Sequence, residues 1–223
     1  MRASPLTSAV LFHLGPIPIT RPVVTTWVIV AVLAIVSRSI TRRLRPDAGG
    51  CQAVLEIIVT GIAQQIEDVI RRDARPLLPL LGTLFIFLVT ANLCGVLPGV
   101  EAPTSKIETP AALALIVFFS VHWFGMRARG VRGYLASFAE PKLIMLPLNV
   151  LSEVTRTFSL MVRLFGNVMS GEFIIALIIG LSGLFVPIPF MALEILVGVV
   201  QAYIFTILAT VFIGAAVGNA ART

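Results

Sequence analysis

The chain has 223 residues, 57% of them hydrophobic and only 13% charged, with a formal net charge of +6. Soluble domains average about 45–50% apolar and about 25% charged residues, so this composition points to a membrane protein. The basic residues sit in short segments between apolar blocks rather than on an aromatic-bearing soluble surface, which argues against a nucleic-acid partner.

In chain order, residues 1–21 read as a short external tail. Their prolines and the missing cleavage site argue against a signal peptide. Residues 22–40 form the first span, closed by TRRLRP, with Pro46, Gly49 and Gly50 making the break. Residues 53–72 are too polar to cross. Val54, Ile57, Ile58, Gly61, Ile62, Ala63, Ile66 and Val69 fall mainly on one helical face, which suits a helix lying on the membrane surface. Residues 77–98 are the second span, with Asn92 expected to make a helix-packing hydrogen bond. Residues 109–126 are the third span, ending at RARGVR, with His122 expected to pack rather than to ligate. Residues 147–182 and 187–218 are the last two helices. At 1.5 Å per residue the first of these is about 54 Å long, against a hydrocarbon core of about 30 Å, so it must be strongly tilted, curved or partly interfacial. The expected fold is an all-α membrane protein of about five transmembrane helices plus one amphipathic surface helix.

Placing the N-terminus outside sets the topology. Arg38, Arg42, Arg43, Arg45, Arg71, Arg72, Arg75, Arg127, Arg129, Arg132, Lys142 and Arg222 then lie inside, against Arg2, Arg21 and Lys106 outside. This is the bias of a cytoplasmic face and puts the C-terminus in the cytoplasm.

The basic residues left over are Arg156 and Arg163, inside the long fourth span. An arginine at mid-membrane costs about 2.5–3.5 kcal/mol even on lenient scales, so it faces protein or water rather than lipid. With a helical advance of about 100° per residue, Ser152, Arg156, Ser159, Asn167 and Ser170 all fall within roughly 40° of Arg163. A polar seam against another helix of the same chain is the plain alternative. Two arginines make that seam expensive. In the last helix Glu194 and Gln201 share a face, with Gly198 between them. Glu172 lies on the opposite side of its helix from Arg163, within reach of the last helix. Carboxylates in spans are proton-relay or cation-site candidates, and a fully paired acid is the plain alternative. Cys51 and Cys94 have neither metal-ligand spacing nor a disulfide pattern. No nucleophile–base pair, phosphate loop or metal cluster is legible, so the expected chain performs no covalent chemistry and needs no cofactor.

SLMVRLFGNVMSGE resembles the signature of subunit a of F-type ATP synthases. QAYIFTILATVFI and PLLPLLGTLFIFLVTANLCGVLPG extend the resemblance over nearly the whole chain. The short N-terminus, ITRRL and LPLNVLSEVTRT look like the N-type ATPase branch. The resemblance implies a stator beside a rotating c-ring and a peripheral stalk with subunit b, in a bacterial-type plasma membrane. The transported ion is then H+, or Na+. Arg163 matches the essential arginine facing the c-ring carboxylate. Asn167, Glu172, Glu194 and Gln201 match positions of the external half-channel, and Ser152, Arg156 and Ser159 positions near the inner one. Many relatives pair an acid with a histidine where this chain has Glu172 and Glu194. The resemblance and the helix length together imply that Gly166 and Gly171 allow close approach to the ring. The competing readings are a self-contained secondary transporter or channel and a non-transporting scaffold. Neither inverted repeats nor broken midplane helices, common in transporters, are evident.

Overall fold

The structure is a computed structural model, and it describes residues 10–14, 17–42, 50–71, 73–95, 102–139, 144, 146–183 and 186–218. The break at Pro46, Lys142 in the linker and Arg222 at the C-terminus lie outside these residues.

Regular structure begins within the expected tail. Val10–Leu14 (β1) and Ile17–Thr20 (β2) form a two-stranded antiparallel hairpin, registered by His13 against Pro18 and Leu14 against Ile17. A proline fits there because both strands of a lone hairpin are edges. Apart from this hairpin the described chain is helical, as expected. The helices are α1 (Arg21–Thr41), α2 (Gly50–Ile70), α3 (Leu78–Gly95), α4 (Glu108–Ala139), α5 (Leu146–Ser182) and α6 (Pro187–Gly218). Five of them, all but α2, are long and apolar enough to cross a membrane.

Two helix boundaries carry information. The positive φ of Arg71, 55°, follows the last turn of α2, and the chain then turns through buried Ala74 and Leu77 into α3. The third span was expected to stop at its arginines, yet α4 continues through Arg127, Arg129 and Arg132. It bends at Gly130, whose φ of 74° breaks the helical path. Past the bend Tyr134 folds back, and its ring lies 5.8 Å from that of His122. His122 donates from Nδ1 to the Phe118 carbonyl at 2.8 Å and packs its ring against Phe118, a packing residue as expected.

The core lies between α3, α4 and α6, with α5 leaning on one side and α2 on another. Leu81, Leu84, Leu88 and Ala91 of α3 meet Ala202, Phe205, Ala209 and Ile213 of α6, all nearly inaccessible. Alanines at the contacts let the helix backbones approach, which is how membrane helices gain packing without a hydrophobic drive between them. Helix α2 contributes Ile62 and Ile66 to this core, whereas Ile57, Ile58 and Val69 stay exposed. Its Gln65 Oε1 accepts a 2.6 Å hydrogen bond from the Tyr203 hydroxyl of α6. Only 11% of the long window in α5 is buried, against 39% in α6. Helix α5 therefore shows most of its apolar length to whatever surrounds the protein.

Candidate functional site

The site is built on α5 because a regular helix keeps residues three, four and seven apart on one side. Ser152, Arg156, Ser159 and Arg163 are exposed in sequence along it, and Asn167 is half-buried one turn further. Two open clefts flank this line. One, about 560 Å³, is lined by Ser152, Arg156, Ser159 and Arg163 with Leu208 and Phe212 of α6. The other, about 590 Å³, is lined by Arg163, Gly166 and Asn167 with Val197, Gln201 and Ile204. Arg163 is the one residue common to both linings.

The two arginines are held differently. Arg156 lies 3.8 Å from Glu153 Oε2 and 5.3 Å from the centre of the Phe212 ring. Arg163 has no carboxylate within 4.0 Å among the described residues and stands in an apolar surface with Val162, Leu196 and Val200. Ser170 turns its hydroxyl back to the Asn167 carbonyl at 2.9 Å, bonding to its own helix, and it lines neither cleft.

The acids form a separate group. Glu194 of α6 lies against Gly171, where an added Cβ would sit 2.6 Å from its Oε1. Glu172 is the next residue, and the two carboxylates lie close enough to act on one another electrostatically. The close approach of Gly171 is thus to α6, while Gly166 has open space where a Cβ would stand. Glu172 Oε1 accepts a 3.3 Å hydrogen bond from the Ala102 backbone N–H, at the edge of the buried turn Pro103–Ser105. Neither acid lines either cleft. The structure therefore gathers Ser152, Arg156 and Ser159 on one side of Arg163, and Asn167 and Gln201 on the other. Glu172 and Glu194 sit together beyond them.

Gln201 is only 5% exposed, and its Nε2 has no hydrogen-bond partner among the described residues. One turn earlier, Gly198 packs directly on α3, where its added Cβ would be 3.0 Å from Asn92 Cβ. Asn92 donates to the Gly198 carbonyl at 2.8 Å and accepts from the Thr104 hydroxyl at 3.0 Å. Asn92 is the helix-packing residue the sequence suggested. Thr104 and the Ala102 N–H were not legible, because they belong to a loop whose burial no periodicity encodes. Cys94 is a free thiol. Among the described residues no group of three His, Cys, Asp or Glu could hold a metal ion.

Comparison with known proteins gives the same direction. The family model described as ATP synthase A chain matches residues 23–214. A protein of Bradyrhizobium sp. (strain BTAi1), named ATP synthase subunit a 2, is 79% identical over 100% of both chains. ATP synthase subunit a of Albidiferax ferrireducens is 47% identical over 97% of this chain and 94% of its own. A Chlorobaculum parvum protein named ATP synthase subunit a 1 is 48% identical over 93% of this chain and 92% of its own. The chain belongs to the ATP synthase A chain family and is an integral membrane subunit of the synthase's membrane sector.

Proposed function

We infer that this chain is the stationary ion-conducting subunit of a rotary ATP synthase, with α5 and α6 set against a ring of c subunits and Arg163 facing the ring's carboxylates. One observation carries the reading. Arg163 is an exposed cation in the middle of an apolar surface, with no carboxylate within 4.0 Å among the described residues. A charge in that setting needs a counter-charge from outside the chain. A passing c-ring carboxylate supplies one.

The physics then follows. Ring carboxylates travel through lipid in neutral form and must lose an ion to one side and regain one from the other. The fixed guanidinium favours the ionised carboxylate as it passes. It also blocks ions from moving directly between the two clefts. Arginine suits the task because it stays protonated and presents a broad donor fork. The cleft of Ser152, Arg156 and Ser159 serves as the inner half-channel. Asn167 and Gln201, with Glu172 and Glu194 beyond, serve the external one. The membrane potential supplies about 2.3 kcal/mol per elementary charge per 100 mV, so successive ions drive rotation. The N-terminus lies outside and the C-terminus in the cytoplasm, as the basic residues favour. The peripheral stalk subunit b holds the chain still, and the ion is H+ or Na+. The chain itself performs no covalent chemistry.

The test is ATP-driven pumping by the whole complex in proteoliposomes, wild type against Arg163→Ala, read with a pH dye and with radioactive sodium. Pumping is expected to vanish in an assembled variant, and the probe that responds in wild type names the ion. Undiminished pumping would return the polar line on α5 to a structural seam.

A further inference from the structure

Past the bend at Gly130, the tail of α4 brings Tyr134 back onto its own helix and beside α5. Tyr134 is only 5% exposed. Its ring covers Gly125, where an added Cβ would stand 2.9 Å from Tyr134 Cδ2, and meets His122 edge-on. Its hydroxyl lies close enough to Glu153 of α5 and Arg129 of α4 to act on both electrostatically. Arg129 is partly sunk as well, its Nε buried with no hydrogen-bond partner among the described residues.

Glu153 is thus flanked by the tail of α4 and by Arg156, one turn along its own helix. The Glu153 side chain is 16% exposed and that of Arg156 47%, and Oε2 lies 3.8 Å from Nη1. Arg156 lines the cleft with Ser152 and Ser159, and Glu153 does not. The acid therefore stands behind the wall and the cation stands in it. The guanidinium is also braced by the Phe212 ring of α6, 5.3 Å away. Partial burial lowers the local dielectric around Glu153 and strengthens its hold on Arg156.

We propose that Glu153 is a positioning residue of the ion path: with the tail of α4 docked behind it, it holds and neutralises Arg156 in the cleft, so that a cation entering there meets no uncompensated charge. The proposal rests on reading that cleft as the inner half-channel. A unit charge roughly 4 Å from a monovalent cation, in water, changes that cation's local concentration about fivefold. Losing the acid alone should therefore starve the cleft of ions without touching Arg163.

The test is ATP-driven pumping by the whole assembled complex in proteoliposomes, its ATP-hydrolysing sector outward, so that the bath feeds the inner cleft. The pumped ion is varied in the bath, and the concentration giving half the maximal rate is read. Glu153→Gln should raise that concentration about fivefold, with the maximal rate little changed. Glu153→Asp keeps the charge and should stay close to wild type. Arg156→Gln leaves the acid unpaired and should lower the half-saturating concentration, whatever its maximal rate. Glu153→Gln combined with Arg156→Gln should restore the wild-type concentration. A value unmoved by Glu153→Gln overturns the proposal. So does a rise that persists in the double variant, because a merely structural acid is not rescued by losing a second residue. Undiminished pumping by Arg163→Ala would instead sink the stator reading itself, a result separate from the Glu153 measurements.

Discussion

Gly198 offers a sharp test of how closely α3 and α6 are packed. A methyl group there would stand 3.0 Å from Asn92 Cβ, where an ordinary carbon–carbon contact is about 3.5–4.0 Å. The obstacle is a Cβ fixed to the backbone, so it cannot swing aside, and the helices must part by several tenths of an ångström. Overpacking of this kind costs about 1–3 kcal/mol. Asn92→Ala keeps the obstructing Cβ and gives no relief. Asn92→Gly removes it, at about 1 kcal/mol of helix propensity and about 0.6 kcal/mol for each hydrogen bond lost. Gly198→Ala combined with Asn92→Gly should therefore be about as stable as Asn92→Gly alone. Combined with Asn92→Ala it should show the full extra loss. The assay is reversible unfolding of the subunit in mixed detergent, read as a double-mutant cycle. Losses that add within about 0.5 kcal/mol for the glycine pair would refute the close approach. Gly198 lies between Glu194 and Gln201, so a shift there displaces both, and ion pumping should fall alongside stability.

Glu172→Gln keeps an oxygen that can accept the Ala102 N–H, so the complex should assemble, while the lost charge slows pumping about tenfold, or about 1.4 kcal/mol of barrier. Co-purification with the other subunits and vesicle pumping separate the two effects. Tyr203→Phe removes the 2.6 Å bond to Gln65 and should lower thermal stability of the complex by no more than about 1 kcal/mol, with pumping little changed. Arg156→Gln loses a partly exposed 3.8 Å ion pair and its place 5.3 Å from the centre of the Phe212 ring, each worth about 1 kcal/mol or less, so stability should fall by no more than about 2 kcal/mol. It should nonetheless slow ion passage, because Arg156 lines the cleft below Arg163.

Much of this architecture was written in hydropathy. Helices α3, α5 and α6 appear where the long apolar runs are, and the polar line on α5 follows from a constant helical advance. What hydropathy reports is which segments tolerate lipid, and it says nothing about which face meets which neighbour. The resemblance and the helix length assign Gly171 to close approach of the ring, whereas the neighbour it meets within the chain is Glu194 on α6. Helix α4 outruns its apolar stretch because Arg127, Arg129 and Arg132 are good helix formers. Lipid compatibility ends there, but helicity does not. The hairpin joins Val10–Leu14 to Ile17–Thr20, and Pro18 inside the second of these short segments masks its strand signal. The buried turn at Pro103–Ser105 carries no period at all, and its role appears only when Thr104 meets Asn92.

On the proposed assignment, two open clefts meeting at a single side chain would also reshape the electric field. Each cleft is then filled with water continuous with its own side, and so carries that side's potential inward almost undiminished. The voltage then no longer falls evenly over some 30 Å of hydrocarbon. On that assignment it falls across the septum at Arg163, beside the buried side chains of Leu164 and Phe205. If that septum is about one helical turn thick, roughly 5.4 Å, the local field is several times that of the surrounding bilayer. Entry and exit of ions through the clefts would then be nearly indifferent to voltage. Almost all the electrical work would be done in the short passage of the ring's carboxylate past one guanidinium.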